Sequence, residues 1–168
     1  MADLSNKDFR EAMARVCAAV NIITTDGPAG RGGLTATAMC SVSDEPPTLL
    51  VCMRQSSAQS HLFAENRRFC VNVLAGDQRE LAGHFAGGLQ DMNARYAAAD
   101  WTTLATGAPV LSGAVASFDC ELAEVHVAAT HNILIGRVMA LACCLSADAL
   151  AYCDRAYVDI AAGVRAAA

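Results

Sequence analysis

The chain has 168 residues, enough for one domain and too few for two, since a single core of this length already buries about 70% of the surface its unfolded chain exposes. Its formal charge is −5, with Lys7 the single lysine and no basic cluster beyond Arg67-Arg68, which excludes the cationic stripe that tracks a nucleic-acid backbone. Hydrophobic residues make up 54%, yet the most apolar run, Ile133 to Leu145, is cut by Arg137, so nothing reaches the ~18 uncharged residues of a membrane span.

The apolar surplus, much of it alanine, is better hidden in a subunit interface, and a homodimer is expected. The N-terminus lacks a basic region followed by an apolar one and a small-residue cleavage site, so a cytoplasmic protein is expected. The eight cysteines sit largely inside apolar runs such as Val51-Cys52-Met53, Phe69-Cys70-Val71 and Ala142-Cys143-Cys144-Leu145, and read as buried thiols. No C-x-x-C pair exists, and His61, His84, His126 and His131 lack ligand spacing, so no metal site is read.

From Phe9 the apolar residues Phe9, Ala12, Met13, Val16, Cys17 and Val20 follow helical spacing, with Ser5 and Asp8 placed as an N-terminal cap. Val20 to Thr25 is β-branched and ends at the Asp26 to Gly33 turn cluster. Leu34 to Ser43 alternates as one strand, with Leu34, Ala36, Ala38, Cys40 and Val42 on a core face and Thr35, Thr37, Met39, Ser41 and Ser43 on a largely hydroxylic one. Thr48 to Met53 is a continuous apolar strand expected to be buried on both faces. A short helix is expected over Ala58 to Asn66, a strand over Phe69 to Leu74, and a helix over Gln78 to Phe85 that stops at Gly87-Gly88.

Leu89 to Pro109 is weakly patterned and long enough to be functional or interface-forming. In the strand that follows, Phe118, Cys120 and Leu122 oppose Asp119 and Glu121, after which the apolar phase flips to Val125 and Val127, as a β-bulge would cause. Ile133 to Cys144 and Leu150 to Ile160 supply the remaining strands, and Ala161 to Ala168 is expected to fray. Six or seven strands with few helices predict a mainly β, barrel-like single domain spanning residues 1–168. No strand, glycine-rich turn and helix unit of the Rossmann type is present.

Three groups of residues together resemble the short-chain flavin reductases that serve two-component flavin monooxygenases. The first is Ala19 to Thr25 followed by Gly33 to Ser43 and Pro46-Pro47. The second is Ser56-Ser57, Ser60 and Glu65-Asn66 leading into Phe69 to Leu74. The third is Ala129-Thr130-His131 followed by Gly136-Arg137-Val138, where many relatives carry Gly-Asp-His in place of Ala129-Thr130-His131. The resemblance runs from about Phe9 to Tyr157. It implies an FMN-binding split β-barrel that dimerises, takes FMN or FAD with NADH or NADPH as hydride donor, and passes reduced flavin to a partner monooxygenase.

A flavin ring needs a flat apolar slot, and small side chains let backbone N–H groups approach its polar edge. The resemblance places the ring against Thr35, Ala36, Thr37, Ala38 and Ser41; the pattern alone fits an ordinary half-exposed strand equally well. Ser56, Ser57 and Ser60 fall where a helix begins, suited either to phosphate or to plain capping, with Arg54 as a counter-charge. The resemblance further implies Phe85 over the ring, Arg155 and Tyr157 bordering the site from the last strand, and His131 as the nicotinamide contact and candidate catalytic residue. No nucleophile is required, because hydride chemistry belongs to the flavin. A non-catalytic flavin-binding or electron-carrier protein would use the same pocket. An oxidase of the pyridoxine phosphate type would call for a basic phosphate pocket that one lysine does not suggest.

Overall fold

The computed structural model describes residues 4–162, so most of the tail expected to fray lies outside the described residues. α1 (Asn6–Ala14) is capped as expected by Ser5, whose hydroxyl accepts from the Asp8 N–H at 3.1 Å. The helix stops short of the predicted Val20. None of its residues is buried, so the Phe9, Met13 and Val16 stripe is exposed in the protomer.

β1 (Ala18–Ala19) and the fully buried β2 (Asn21–Thr25) follow. The single strand predicted from Leu34 to Ser43 is two, β3 (Gly32–Ala36) and β4 (Met39–Asp44), parted at Thr37-Ala38. Both arms keep the alternation, so the pattern carries no mark of the break. Cys40 and Val42, read as core-facing, are exposed. β5 (Pro47–Arg54) alternates instead of being buried on both faces: Leu49, Val51 and Met53 are buried, while Leu50 and Cys52 are only partly covered.

α2 (Ser60–Asn66) and β6 (Arg68–Val73) match expectation closely. The helical stretch after them comprises a tight turn, α3 (Arg79–Gly83) and a wide turn over His84–Gly88, in which Gly87 takes φ 112°, a conformation glycine adopts without steric cost. The weakly patterned segment folds into α4 (Met92–Ala97) and the paired β7 (Trp101–Thr103) and β8 (Pro109–Leu111). The chain closes with the hairpin β9 (Ala116–Ala128) and β10 (His131–Cys143), then β11 (Ala149–Cys153) and β12 (Ala156–Ile160).

The main sheet has seven strands in the order β3-β2-β6-β9-β10-β5-β4. Its outermost strands, β3 and β4, are consecutive in the chain and separated only by Thr37 and Ala38. Opposite edges of the sheet therefore meet at one corner without a ladder between them. This is a split barrel rather than a closed one, and the fold is mainly β with a few short helices. The expected bulge lies in β9: Glu124 pairs with Ile135 and Leu122 with Gly136, leaving Ala123 unpaired. Residue 136 must be small there, since a Cβ would collide with the Phe69 ring.

Ile23, Val51, Met53, Phe63, Phe69, Val71 and Leu134 belong to one core cluster. A second, with Val20, Ile22, Leu74, Phe85, Tyr96 and Leu150, includes residues of β11 and of the helical segment. β1, β11 and β12 form a separate three-stranded sheet. No helix among the described residues is long and apolar enough to cross a membrane.

Candidate active site

A cleft of about 570 Å³ opens where β3 and β4 part. Thr37, Ala38, Met39 and Cys40 line it from the break itself, and Leu50 and Cys52 from β5. The opposite wall is Met13, Ala14 and Val16 at the end of α1, Ala18 of β1 and Tyr152 of β11. Apart from Thr37 and the tyrosine hydroxyl these side chains offer little but carbon and sulfur, so the cleft suits a flat, apolar group.

Alternation along β5 puts Arg54 on the same face as Leu50 and Cys52, beyond the cleft floor. Its partner directly across the ladder is His131, at the start of β10. The turn after β5 is fastened to that same corner, because the Gln55 N–H donates to the Thr130 carbonyl at 3.1 Å and the Asn132 amide donates to Ser60 Oγ at 2.9 Å. Arg54, Ser56, Ser57, Ser60 and His131 are thereby gathered at one corner. Arg54 is exposed and has no ion-pair partner among the described residues. The half-buried His131 has Nδ1 3.0 Å from Thr130 Oγ1, and its other ring nitrogen has no hydrogen-bond partner among the described residues.

Ser57 makes a capping-type contact, its hydroxyl accepting from the Gln59 N–H at 3.4 Å, whereas Ser60 accepts from the Asn132 amide. The residue before α2 is Gln59, which makes no side-chain cap and instead accepts from the Gly33 N–H at 2.7 Å.

Other expected site residues lie elsewhere. The Thr35 hydroxyl is committed to the Ala82 carbonyl at 2.6 Å. Ala36 packs against the core cluster rather than lining the cleft, and its carbonyl accepts from the Asn21 amide at 3.1 Å. Ser41 lines a different, apolar groove of about 290 Å³ with Leu49, Phe118 and Leu141. Phe85 is 2% exposed and packs edge-on to Tyr96 at 5.4 Å, as a core residue rather than a lid over a ring. Arg155 reaches Glu11 of α1 with two hydrogen bonds of 3.0 and 2.8 Å, and this guanidinium holds the Glu11 carboxyl below its usual range. Tyr157 packs edge-on to Tyr152 at 5.5 Å and so backs a cleft residue without lining the cleft. His126 is exposed and paired with Glu124 at 2.7 Å.

Met13, Val16, Tyr152 and Asn132 were not read as site residues. The first two carried a signal, an apolar helical stripe, but it pointed equally to a core. The thiols are not uniformly buried: Cys17 and Cys153 form a disulfide, and Cys40 and Cys143 are exposed. Burial pushes the Cys70 thiol up and that of Cys120 up to about 12, so neither is a nucleophile near neutral pH.

The flavin reductase like domain model matches residues 13–161, from the end of α1 past β12. The chain belongs to the flavin reductase-like family. This flavin reductase-like chain is 52% identical over 156 residues to the FMN reductase (NADH) RutF of Stutzerimonas stutzeri strain A1501, covering 93% of the chain and 89% of that relative. Among solved structures it is similar to BorF, the flavin reductase component of a bacterial two-component tryptophan halogenase, with a TM-score of 0.85 at 29% identity over 94% of the chain and 99% of BorF. The styrene monooxygenase flavin reductase of Pseudomonas putida S12 gives a TM-score of 0.80 at 26% identity, over 90% of the chain and 96% of that structure. These neighbours share the split-barrel fold with the flavin reductase-like chain, and their lengths are nearly fully covered.

Proposed function

We propose that the protein is an NADH-dependent FMN reductase that supplies reduced flavin to a separate monooxygenase. The observation that carries this is the 52% identity over nearly its whole length to an FMN reductase (NADH), on a fold whose open corner forms an apolar cleft. Relatives at this identity favour FMN over FAD and NADH over NADPH, and the monooxygenase partner follows from neighbours that are components of two-component systems.

The cleft fits the group. Its small side chains at Ala38 and Cys40 let the backbone approach a ring, and its apolar walls exclude water from one side of it. Arg54, without an ion-pair partner among the described residues, would bind a phosphate together with the hydroxyls of Ser56, Ser57 and Ser60, the last held by the Asn132 amide. Bound FMN supplies the ring that accepts a hydride from the nicotinamide. His131, with Nδ1 at the Thr130 hydroxyl, offers its remaining nitrogen to orient the nicotinamide carboxamide. A homodimer is supported by exposed apolar side chains that a subunit contact would cover, among them Val42 at 52%, Val127 at 73%, Leu141 at 61% and Leu145 at 65%. The cytoplasm, which holds both NADH and oxygenases, is the compartment this reading requires.

The test is NADH consumption with and without added FMN. Many turnovers per protein molecule, strictly dependent on FMN, are expected. A flavin-binding carrier would consume NADH stoichiometrically at most, and that result would overturn the reading.

A further inference from the structure

Among the described residues six cysteines are free thiols, and Cys17 and Cys153 form the one disulfide. Small scaffolds that depend on disulfides pair most of their cysteines, whereas a lone bridge among free thiols has the pattern of a redox-responsive pair. Its position is what gives it a role. Cys17 lies between Val16 and Ala18, Cys153 follows Tyr152, and these three neighbours line the cleft. Ala18 is also the ladder partner of Tyr152, so the bridge joins two wall segments just outside the cavity they bound.

The ladder holds Ala18 and Tyr152, but among the described residues little else holds the α1 part of that wall. No residue of α1 is buried, so apolar burial does not anchor it. Its remaining ties are the Asp154 N–H donating to the Ala14 carbonyl at 2.6 Å and the Glu11 to Arg155 ion pair, whose side chains are 52% and 54% exposed. Exposed pairs of this kind are screened and weak. Cys17 is exposed and Cys153 partly so, which leaves the bridge open to a dithiol.

We infer that Cys17 and Cys153 are a thiol–disulfide switch: the oxidised pair fixes the α1 wall of the flavin cleft, and reduction releases it. This rests on the cleft being the flavin seat. In reduction, a thiolate of the dithiol attacks one bridge sulfur, the other cysteine leaves as thiolate, and the second thiol resolves the mixed disulfide, yielding two cysteine thiols and one oxidised dithiol. In reoxidation, hydrogen peroxide converts one cysteine thiolate to a sulfenic acid and hydroxide, and the other thiol condenses with it, releasing water. The oxidant is at hand in the proposed reaction, since one dihydroflavin and one dioxygen that meet outside an oxygenase yield one oxidised flavin and one hydrogen peroxide. Uncoupled turnover thus restores the fixed wall and slows further loss of flavin from the cleft.

The experiment compares the full-length protein oxidised, reduced with dithiothreitol, and as the Cys17→Ser plus Cys153→Ser variant. The bridge is verified by mass spectrometry, FMN affinity is read by fluorescence quenching, and α1 by amide hydrogen exchange. On reduction the FMN Kd is expected to rise about ten-fold, as when roughly one side chain's worth of apolar contact is lost, with faster exchange over residues 6–17. The variant is expected to stay at the reduced value in either condition. Unchanged α1 exchange and unchanged Kd after verified reduction would overturn the switch, as would air-oxidised protein with no Cys17 to Cys153 bridge. FMN bound in neither state, with α1 exchange still redox-dependent, would overturn the flavin assignment rather than the mobility of the wall. Because reduction acts on the parent protein, the result stands even if the variant folds poorly.

Discussion

Arg54→Ala removes an exposed cation at the end of β5 that has no ion-pair partner among the described residues. A guanidinium donates to a phosphate through up to two parallel N–H bonds, and hydrogen bonds to charged groups contribute about 1.5 to 3 kcal/mol. Loss of that interaction raises the FMN Kd by about 10- to 150-fold, at 1.4 kcal/mol for each factor of ten. Arg54 is exposed at the end of β5 and has no ion-pair partner among the described residues, so stability should stay within about 0.5 kcal/mol of the parent. The assay is a fluorescence titration with FMN and, in parallel, with riboflavin, which has the same ring and no phosphate. FMN should weaken while riboflavin is unchanged, and the preference of the parent for FMN should largely vanish. Equal weakening of both flavins would refute the phosphate assignment and make Arg54 a ring contact or a structural residue; no change in either would put the phosphate elsewhere.

His131→Ala should lower kcat/KM for NADH about five- to thirty-fold, the effect of one lost hydrogen bond of about 1 to 2 kcal/mol, with FMN affinity unchanged. A lowered melting temperature with unaltered kinetics would make the histidine structural. Phe85→Ala should destabilise by about 3 to 5 kcal/mol and lower Tm by on the order of 10 °C, because it empties the centre of the Tyr96 and Trp101 aromatic cluster. Loss of FMN affinity in the still-folded variant, without that drop in Tm, would instead place the ring on the flavin. Sedimentation should show a dimer at micromolar concentration, and Leu141→Asp, at an exposed apolar position, should shift it toward monomer by forcing a charge into a dry contact. A parent that sediments as a monomer would contradict the homodimer.

The local elements were largely legible because they depend on local chemistry. Ser5 and Asp8 announce the start of α1, the β-branched run announces β2, and the phase flip after Leu122 announces the bulge at Ala123. What escaped is set by partners distant in sequence. Thr35 alternates like a ligand-facing threonine, but its hydroxyl is taken by Ala82, 47 residues on. Arg155 pairs with Glu11, 144 residues away, and Cys17 with Cys153, 136 away; no spacing rule detects either. The stripe of Phe9, Met13 and Val16 has the same spacing whether it faces a core, a partner or a cleft. The corner that gathers Arg54, the serines and His131 was legible only through the resemblance, because it is created by the β5 to β10 register. Phe85 shows the opposite failure: the resemblance placed it over a ring, while the packing of α3 and the wide turn after it buries it.

The central claim is most directly tested by mixing a substoichiometric amount of the protein anaerobically with NADH and excess FMN and following loss of the absorbance of the oxidised flavin. Complete bleaching of the FMN, at a rate proportional to protein and saturating in NADH, is the result predicted. Bleaching that stops at one FMN per protein molecule, or that runs no faster than NADH and FMN alone, would contradict the account.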